Sequence, residues 1–436
     1  MGQARRFRGP VAALCLASAA LATVGVTGHV SPAGASGSQP AKETCTPSMP
    51  AATSTAGTPV AQASNTFGFN LFRRQFAAAP QSDLFLSPLS VAVALDMLYD
   101  GARGRTASAM ARTLALGTMS RQSVIASAAS LLHTLQIGEP APSNPGGPAL
   151  QPTKMRVANS VWSRSGLNFT PQFTSDLQRY FGAQAQSLDF NSSAAPTTIN
   201  RWVSCETNGK ITQIVDSTQA LMMLLVNAVY FEGGWTYTFD PRLTTNQTFT
   251  TGTGATTHVR MMHQTQDFGY YRGRNVQVLT MPYGQSRRFS MVVVLPNKGV
   301  SLAQFAPRMT RANWGYWVKR TATMGYGDVA FPHIDMTYSA NLTAPLSALG
   351  MGAAFGSRAD FSGVCAEFCK VNEVLHKTFL HVDEKGTTAA AVTGVGLGGG
   401  GPPPKPFHFI ADHPFFLGIR DGRSGAVLFL GAVNKP

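Results

Sequence analysis

The 436-residue chain has 35 Lys and Arg against 21 Asp and Glu, a formal net charge of +14, with 44% hydrophobic and only 13% charged residues. That balance suits a folded protein with a sizeable core and excludes a charge-rich disordered chain. The basic excess reflects scarce acids; no run of five or six cations occurs, so no nucleic-acid partner is expected.

At the N-terminus Arg5, Arg6 and Arg8 precede the apolar stretch Val11–Val26, and Ala33-Gly34-Ala35 offers a small-residue cleavage site. This reads as an export signal over residues 1–35. Cys15 follows Leu14, which argues against a lipoprotein site. About sixteen apolar residues are short for a membrane span, and no later stretch is longer. A secreted, extracellular protein with no membrane partner is expected. Residues 36–63 are rich in Ser, Thr, Ala, Pro and Gln without periodicity, which predicts a disordered leader.

Of the cysteines, Cys45, Cys205, Cys365 and Cys369 follow the signal. Cys365 and Cys369 are close enough to close a small loop by a disulfide, and Cys45–Cys205 remains by elimination. A zinc site wants a second ligand pair that the sequence does not supply, so neither metal nor cofactor is expected.

In chain order, Asn65–Phe76 predicts a first helix, with Phe69, Phe72 and Phe76 at helical spacing. A short strand, Asp83–Leu86, comes next. Ser87 as N-cap and Pro88 at the first helical position then start a helix that is apolar nearly all round to Tyr99, with Gly101 to end it. Ala102–Leu116 and Ser120–Leu135 are two further helices, and the Pro/Gly/Ser-rich Gly138–Thr153 is a surface insertion. Leu221–Phe231 is a continuous apolar run, as in a strand buried on both faces, and its one polar residue, Asn227, must find partners. Hairpin segments run through Ser290–Pro296. Val374–Val382 alternates as a strand, and Ala426–Val433 is a closing strand. No Gly-x-Ser-x-Gly, His-Glu-x-x-His, P-loop or dinucleotide fingerprint occurs, so no enzyme is expected.

Residues 383–401 lie between the Val374–Val382 strand and Pro402–Pro404. In this segment Thr387, Ala389, Ala391, Thr393, Val395 and Leu397 share one parity, and none carries a charge. Alternate residues of a strand share a face, so this loop can become a strand with one small, neutral face. Glu384-Lys385-Gly386-Thr387-Thr388-Ala389-Ala390-Ala391 resembles the reactive-centre-loop hinge of serpins. Ser87-Pro88-Leu89-Ser90, Met155–Trp162, Asn208-Gly209 at the end of a helix over Thr197–Asp216, and Glu232-Gly233-Gly234-Trp235 are similar to family motifs in the same order. So are Leu346–Phe355 with Ala359-Asp360-Phe361-Ser362-Gly363, and Ala411-Asp412-His413-Pro414-Phe415.

The resemblance runs from about residue 64 to the C-terminus. It implies a single α+β domain over 64–436, with one large mixed sheet, two smaller sheets, about eight or nine helices and an exposed loop at about 384–406. It also implies a monomeric inhibitor of serine proteases, with cysteine proteases as further targets. Such an inhibitor traps its protease covalently while the cleaved loop inserts into the main sheet. Gly386 supplies freedom at the turning point. Thr387, Ala389, Ala391 and Thr393 are small enough to enter the sheet, while Thr388 and Ala390 face the other way. Ser87, Ser90, Asn227 and His376 resemble the polar cluster that controls strand parting. The resemblance also implies that Trp235, His333 and Glu384 meet at the top of the sheet. A His333–Glu384 pair is charged only while the imidazole is protonated, so easier opening at alkaline pH is expected. The helix before the insertion carries only Arg121, so no heparin site is expected.

The family's spacing, measured from Gly386, sets the reactive bond at Gly400–Gly401; measured back from Pro414 it gives about Pro403. Leu397–Gly398 is the second choice. At about 3.3 Å per residue, the two choices give inserted strands of about 50 and about 40 Å. Either suits an elastase- or subtilisin-like protease. The Gly run weakens strand formation, which leaves a non-inhibitory serpin (a binding or storage protein, or a protease substrate) as the competing expectation.

Overall fold

The computed structural model describes residues 49–50, 56–137, 153–387 and 406–436. The predicted signal, most of the leader, residues 138–152 of the insertion and loop residues Thr388–Lys405 lie outside them. The first helix, α1 (Thr58–Ala78), starts ahead of both the predicted helix and the predicted end of the leader, with Pro59 in its first turn and Val60, Ala61 and Ala63 buried. The small residues of that turn carry little periodicity, whereas proline there is the usual helix-start signal. Phe72 and Phe76 pack edge-on against Phe416, at centroid distances of 5.8 and 5.5 Å.

β1 (Leu84–Leu86) leads to α2 (Pro88–Gly101), where the Ser87 hydroxyl accepts the Ser90 N–H at 3.3 Å. Pro88–Tyr99 is buried throughout. After α3 (Gly104–Thr113), α4 (Arg121–Gln136) turns its one arginine inward. The Arg121 guanidinium donates to the carbonyls of Tyr99, Asp100 and Ala102 at the end of α2.

The chain continues through β2 (Lys154–Arg164), α5 (Pro171–Asp176), β3 (Gln184–Leu188), α6 (Ala194–Glu206) and β4 (Met223–Gly234). There follow β5 (Thr245–Thr250), β6 (Thr256–Arg272), β7 (Val276–Pro282), β8 (Phe289–Pro296), α7 (Leu302–Phe305) and α8 (Arg311–Arg320). Next are β9 (Met324–Pro332), β10 (Ile334–Asn341), α9 (Thr343–Leu346), β11 (Glu373–Val382) and β12 (Gly386–Thr387). β13 (Phe407–Ile410), β14 (Phe415–Asp421) and β15 (Val427–Val433) close the chain. α6 stops at Glu206, and Asn208 and Gly209 make the expected terminal turn at φ 52° and 76°. The predicted helix Leu346–Phe355 is instead broken by Gly350 at φ 107°. No helix among the described residues is long and apolar enough to cross a membrane.

One six-stranded sheet runs β10-β11-β4-β2-β3, with β12 paired to the end of β4. It is mixed: β11–β4 and β2–β3 are parallel and the other pairs antiparallel. The other sheet runs β1-β15-β14-β8-β7-β6-β9-β13, with β5 on β6. Its two halves meet along β6, which pairs with β9 over Met261–Gly269 and with β7 over Gly269–Arg272. The two separate smaller sheets that were expected are thus joined through β6 into one continuous nine-stranded sheet. At the shared corner a Cβ on Gly269 would lie 2.2 Å from the Thr321 carbonyl oxygen, which is why glycine sits there.

β4 is buried on both faces, which explains its unbroken apolar sequence. Met223, Leu225, Val229 and Phe231 face the core that holds α2, while Leu224, Val226 and Ala228 pack under α6 with Ile199 and Val203. Asn227 has the parity of the α2 side.

At the end of β14, Asp421 is buried, with Arg288 Nε 2.7 Å from Oδ1 and the Ser424 hydroxyl donating to Oδ2 at 2.6 Å. Burial opposes its ionisation, but Arg288 and Ser424 hold its carboxyl below the usual range. Arg288→Ala strands this carboxylate, so a loss of about 3–5 kcal/mol is expected in a urea titration. Arg288→Lys should recover part of it.

Candidate functional site

Sheet pairing sets three polar side chains in a row across the six-stranded sheet. Asn227 of β4 lies opposite His376 of β11 on one side and Asn159 of β2 on the other. The first turn of α2 reaches the row from below. The Ser87 N–H donates to His376 Nε2 at 3.1 Å, so the ring proton sits on Nδ1, which donates to Asn227 Oδ1 at 2.6 Å. Ser90 Oγ–H donates to the same oxygen at 2.8 Å, and Asn227 Nδ2 donates to Asn159 Oδ1 at 2.5 Å. The Ser87 hydroxyl donates to the Leu428 carbonyl at 2.6 Å. All five residues are buried. Burial pushes the His376 pKa down to about 3, with the Asn227 contact opposing in part, so the ring is neutral. Ser87, Ser90, Asn227 and His376 therefore come together as a bridge between two strands and a helix. Asn159 was missed; its only signal is a lone amide in the apolar strand Met155–Trp162.

The β4–β11 ladder stops at Thr378↔Val229. Above it, the next partner of β4 is β12: Gly386 pairs with Gly234 and Thr387 with Gly233, antiparallel. The chain reaches that slot by a turn after β11. Asp383 N–H donates to the Gly386 carbonyl at 2.9 Å, and Asp383 Oδ1 accepts from the Lys385 and Gly386 N–H groups. Gly386 has φ 144°, and a Cβ there would sit 2.2 Å from the Gly233 carbonyl oxygen, so both conformation and space require glycine.

Trp235 fixes the turn from β4's side. Its N–H donates to the Lys385 carbonyl at 2.9 Å, and Nε1–H donates to the Asp383 carbonyl at 3.0 Å. Its ring stacks on Tyr283, with centroids 4.5 Å apart. The Thr387 hydroxyl, 1% exposed, lies 2.8 Å from the Tyr283 hydroxyl. Burial pushes the Tyr283 phenol far above its usual pKa, Thr387 partly opposing, so it stays protonated.

Glu384 anchors the turn from the outer side. Its Oε1 accepts from Thr244 Oγ1–H at 2.7 Å, with Arg260 Nη2 at 3.3 Å and His333 Nε2 at 2.9 Å. The His333 approach is close without the alignment of a hydrogen bond. Burial opposes the Glu384 charge, but Thr244, a backbone N–H and the His333 imidazole hold its carboxyl below the usual range. The expected His333–Glu384 pair is present, but Thr244 and Arg260 share it. Both remain partners when the imidazole is neutral, which limits the loosening expected at alkaline pH.

Cys365 and Cys369 are disulfide-bonded, with Cα atoms 6.2 Å apart. Cys205 is disulfide-bonded as well, while Cys45 lies outside the described residues. So do Thr388, Ala389, Ala390, Ala391 and Thr393, and both candidate bonds, Gly400–Gly401 and Leu397–Gly398. No His, Cys, Asp and Glu cluster able to hold a metal occurs among the described residues.

Two outcomes test this site. Asn227→Leu leaves the His376 Nδ1–H, the Ser90 hydroxyl and the Asn159 oxygen without their partner, so about 1–3 kcal/mol should be lost per stranded group in a urea titration. The His376 pKa lies below the ordinary imidazole value of about 6.5, so the unfolded chain takes up the proton first. Its contribution is complete above that value and drains as pH falls toward about 3. The urea midpoint of the wild type should fall more steeply between pH 6.5 and 4 than that of His376→Phe.

Comparison with known proteins places these features. The family model described as "Serpin (serine protease inhibitor)" matches residues 62–436. The leukocyte elastase inhibitor of Sus scrofa is 33% identical over 86% of this chain and 99% of its own length. A serpin-like protein of Thermococcus kodakarensis is 33% identical over 87% of this chain and 86% of its own. Among solved structures, human thyroxine-binding globulin complexed with thyroxine superposes with a TM-score of 0.79 at 28% identity, covering 87% of this chain and 99% of that one. The thermophilic serpin tengpin in its native state gives 0.77 at 26% identity, covering 89% and 97%. Matched over most of its length by the family model and by relatives of this similarity, the chain belongs to the serpin family of serine protease inhibitors.

Proposed function

We propose that this serpin is a secreted, monomeric, non-enzymatic inhibitor that traps elastase- or subtilisin-like serine proteases covalently, without a heparin activator. The protease serine attacks the reactive-bond carbonyl, the C-terminal segment leaves with its new amine, and the protease stays esterified to the loop. The loop then enters between β4 and β11. The observation that carries this reading is the direction of β12. It is antiparallel to β4, and β4 is parallel to β11, so a strand continuing from Thr387 meets both neighbours antiparallel.

Continuing the observed register sets Leu397 opposite Met223, the first residue of β4. Thr387 already points its side chain to the buried Tyr283 side. Ala389, Ala391, Thr393, Val395 and Leu397 follow it there by parity, and none buries a charge. Gly400–Gly401 is the first choice of reactive bond and Leu397–Gly398 the second. The 33% identity to a leukocyte elastase inhibitor supports a protease with a small or apolar primary pocket.

A second reading, a small-molecule carrier, draws on one feature. A cleft of about 730 Å³ between α1 and α8 is lined by Arg73, Arg311 and Arg420, with Phe69 and Trp314 in its wall, and a related solved structure holds thyroxine. Saturable quenching of tryptophan fluorescence by thyroxine, lost in Arg420→Ala, would favour it.

Incubation of the wild type with elastase or subtilisin should give a denaturant-resistant band at the summed mass. The released peptide should start at Gly401, or at Gly398 for the second choice. Thr387→Arg drives a charge toward the buried Tyr283, so this variant should be cleaved at the same bond and yield no complex. A wild type that is only cleaved, with no rise in melting temperature, sinks the inhibitor reading.

A further inference from the structure

The seam between β4 and β11 is closed at its lower end as well as in its middle. The parallel ladder begins at Glu373↔Leu224. One residue below, Asn372 reaches across in place of a ladder. Its N–H donates to the Met223 carbonyl at 2.9 Å, and its Oδ1 accepts from the Met222 and Met223 N–H groups at 2.8 and 3.2 Å. Both backbone polar groups of Met223 are therefore taken by one residue. The Asn372 carbonyl accepts in turn from the Thr343 hydroxyl at 3.4 Å, and the oxygen of that hydroxyl accepts the Val374 N–H at 3.1 Å. On the far side the Met222 carbonyl accepts the Arg164 N–H of β2 at 3.0 Å. Asn372 thus belongs with α9 and β11, Met222 and Met223 belong with β2 and β4, and three hydrogen bonds join the two groups.

Those bonds stand where an entering strand has to pair. At the top of the seam the Trp235 N–H bonds the Lys385 carbonyl. Alternate residues of an extended strand point their N–H and C=O groups to the same edge. Met223 lies an even number of residues from Trp235, so it offers its groups to the seam as Trp235 does. Continuing the register of Thr387↔Gly233 brings a strand to Val395 opposite Leu225 and to Leu397 opposite Met223. A pair of the latter parity exchanges both of its hydrogen bonds, and both are held by Asn372. A strand beside β4 can therefore run as far as Leu225 without meeting Asn372. The next pairing place opens only when Asn372 lets go.

We propose that Asn372 is a positioning residue for loop insertion: it latches the lower end of the seam and sets how far an entering strand runs. With the latch closed the strand stops beside Leu225, and with it released the strand reaches Met223. This latch is separate from the His376–Asn227 bridge, which lies higher on the same two strands. Its working part is the side-chain oxygen, since the N–H of residue 372 is present whatever the side chain. If Leu397–Gly398 is the reactive bond, the residue that displaces Asn372 is the one that carries the esterified protease. If Gly400–Gly401 is cut, the strand must run three residues farther. In either case the last stretch of the protease's path waits on Asn372. The consequence for trapping rests on the insertion reading above; the closed end of the seam is read without any protease.

The test uses the intact protein. Asn372→Ala removes the acceptor, and Asn372→Asp keeps one. Amide hydrogen exchange over residues 221–224 should run about tenfold faster in Asn372→Ala than in the wild type and return toward the wild-type rate in Asn372→Asp, with residues 225–229 unchanged. No gain over 221–224 overturns the latch, as does an equal gain over 225–229, which is general loosening. Acetylated peptides with the sequences of residues 389–395 and 389–397 then probe the seam, their entry followed by the rise in melting temperature. The longer peptide should enter about tenfold faster in Asn372→Ala, with Asn372→Asp restoring the slow rate, while the shorter enters all three proteins alike. Equal acceleration of both peptides overturns the latch and leaves insertion standing. If neither peptide enters any of the three proteins, the insertion reading falls instead, and the exchange result alone decides whether Asn372 closes the seam. Should Asn372→Ala not fold, Thr343→Val, which removes the hydroxyl that holds Asn372, carries the same expectations.

Discussion

The parallel pairing of β4 with β11 is the constraint on which the rest of this molecule depends. Two neighbouring strands that run the same way leave one direction for a strand entering between them, and that direction makes both new ladders antiparallel. Parallel pairing is slightly the less stable per residue. In the proposed insertion, exchanging one parallel ladder for two antiparallel ones would therefore be downhill once the seam opens. Polar groups hold that seam closed in this structure. His376 and Asn227 face each other across it, and Ser90 and Ser87 tie both to α2. Buried hydrogen bonds of this kind have two discrete arrangements, made or broken, rather than a continuum. The imidazole is neutral at physiological pH, so closure is set by geometry and not by charge.

Much of this was legible in the chain because the local signals agree with the fold. Ser87-Pro88 caps and starts α2, the unbroken apolar run over Leu221–Phe231 is the doubly covered β4, and the turn at Gly386 follows the alternating strand β11. His376 and Asn227 stood out as polar residues on strands otherwise committed to a core. Their mutual contact was legible only through the family resemblance, since parallel register joins residues far apart in sequence without local warning.

What the sequence hid was partnership at long range. Thr244 and Arg260 reach Glu384 from the flanks of β5 and from β6, and nothing in their own neighbourhoods marks them. Asn159 joins the cluster only because β2 pairs with β4 in a register that no turn residue dictates. The continuity of the smaller sheets along β6 was equally silent, because it depends on a corner at Gly269 and not on a change in hydrophobic period. The early start of α1 is the converse case: Pro59 announced it, and low hydrophobic contrast outweighed that signal.

The hinge draws a border that sequence and structure place at the same residue. Before Gly386 stand Asp383, Glu384 and Lys385; from Gly386 to Pro404 there is no charge at all. Glu384 keeps its charge at the rim, where Thr244, Arg260 and His333 meet it. One residue past Gly386, Thr387 is already desolvated against Tyr283. A residue anchored by its charge cannot follow the strand inward without losing those partners, and a neutral small residue gives up nothing by entering. Gly386 separates the two because its positive φ lets the chain turn from rim to sheet in one step. In the proposed insertion, Glu384 stays at the rim by electrostatics and Gly386 sets the residue at which the strand would begin.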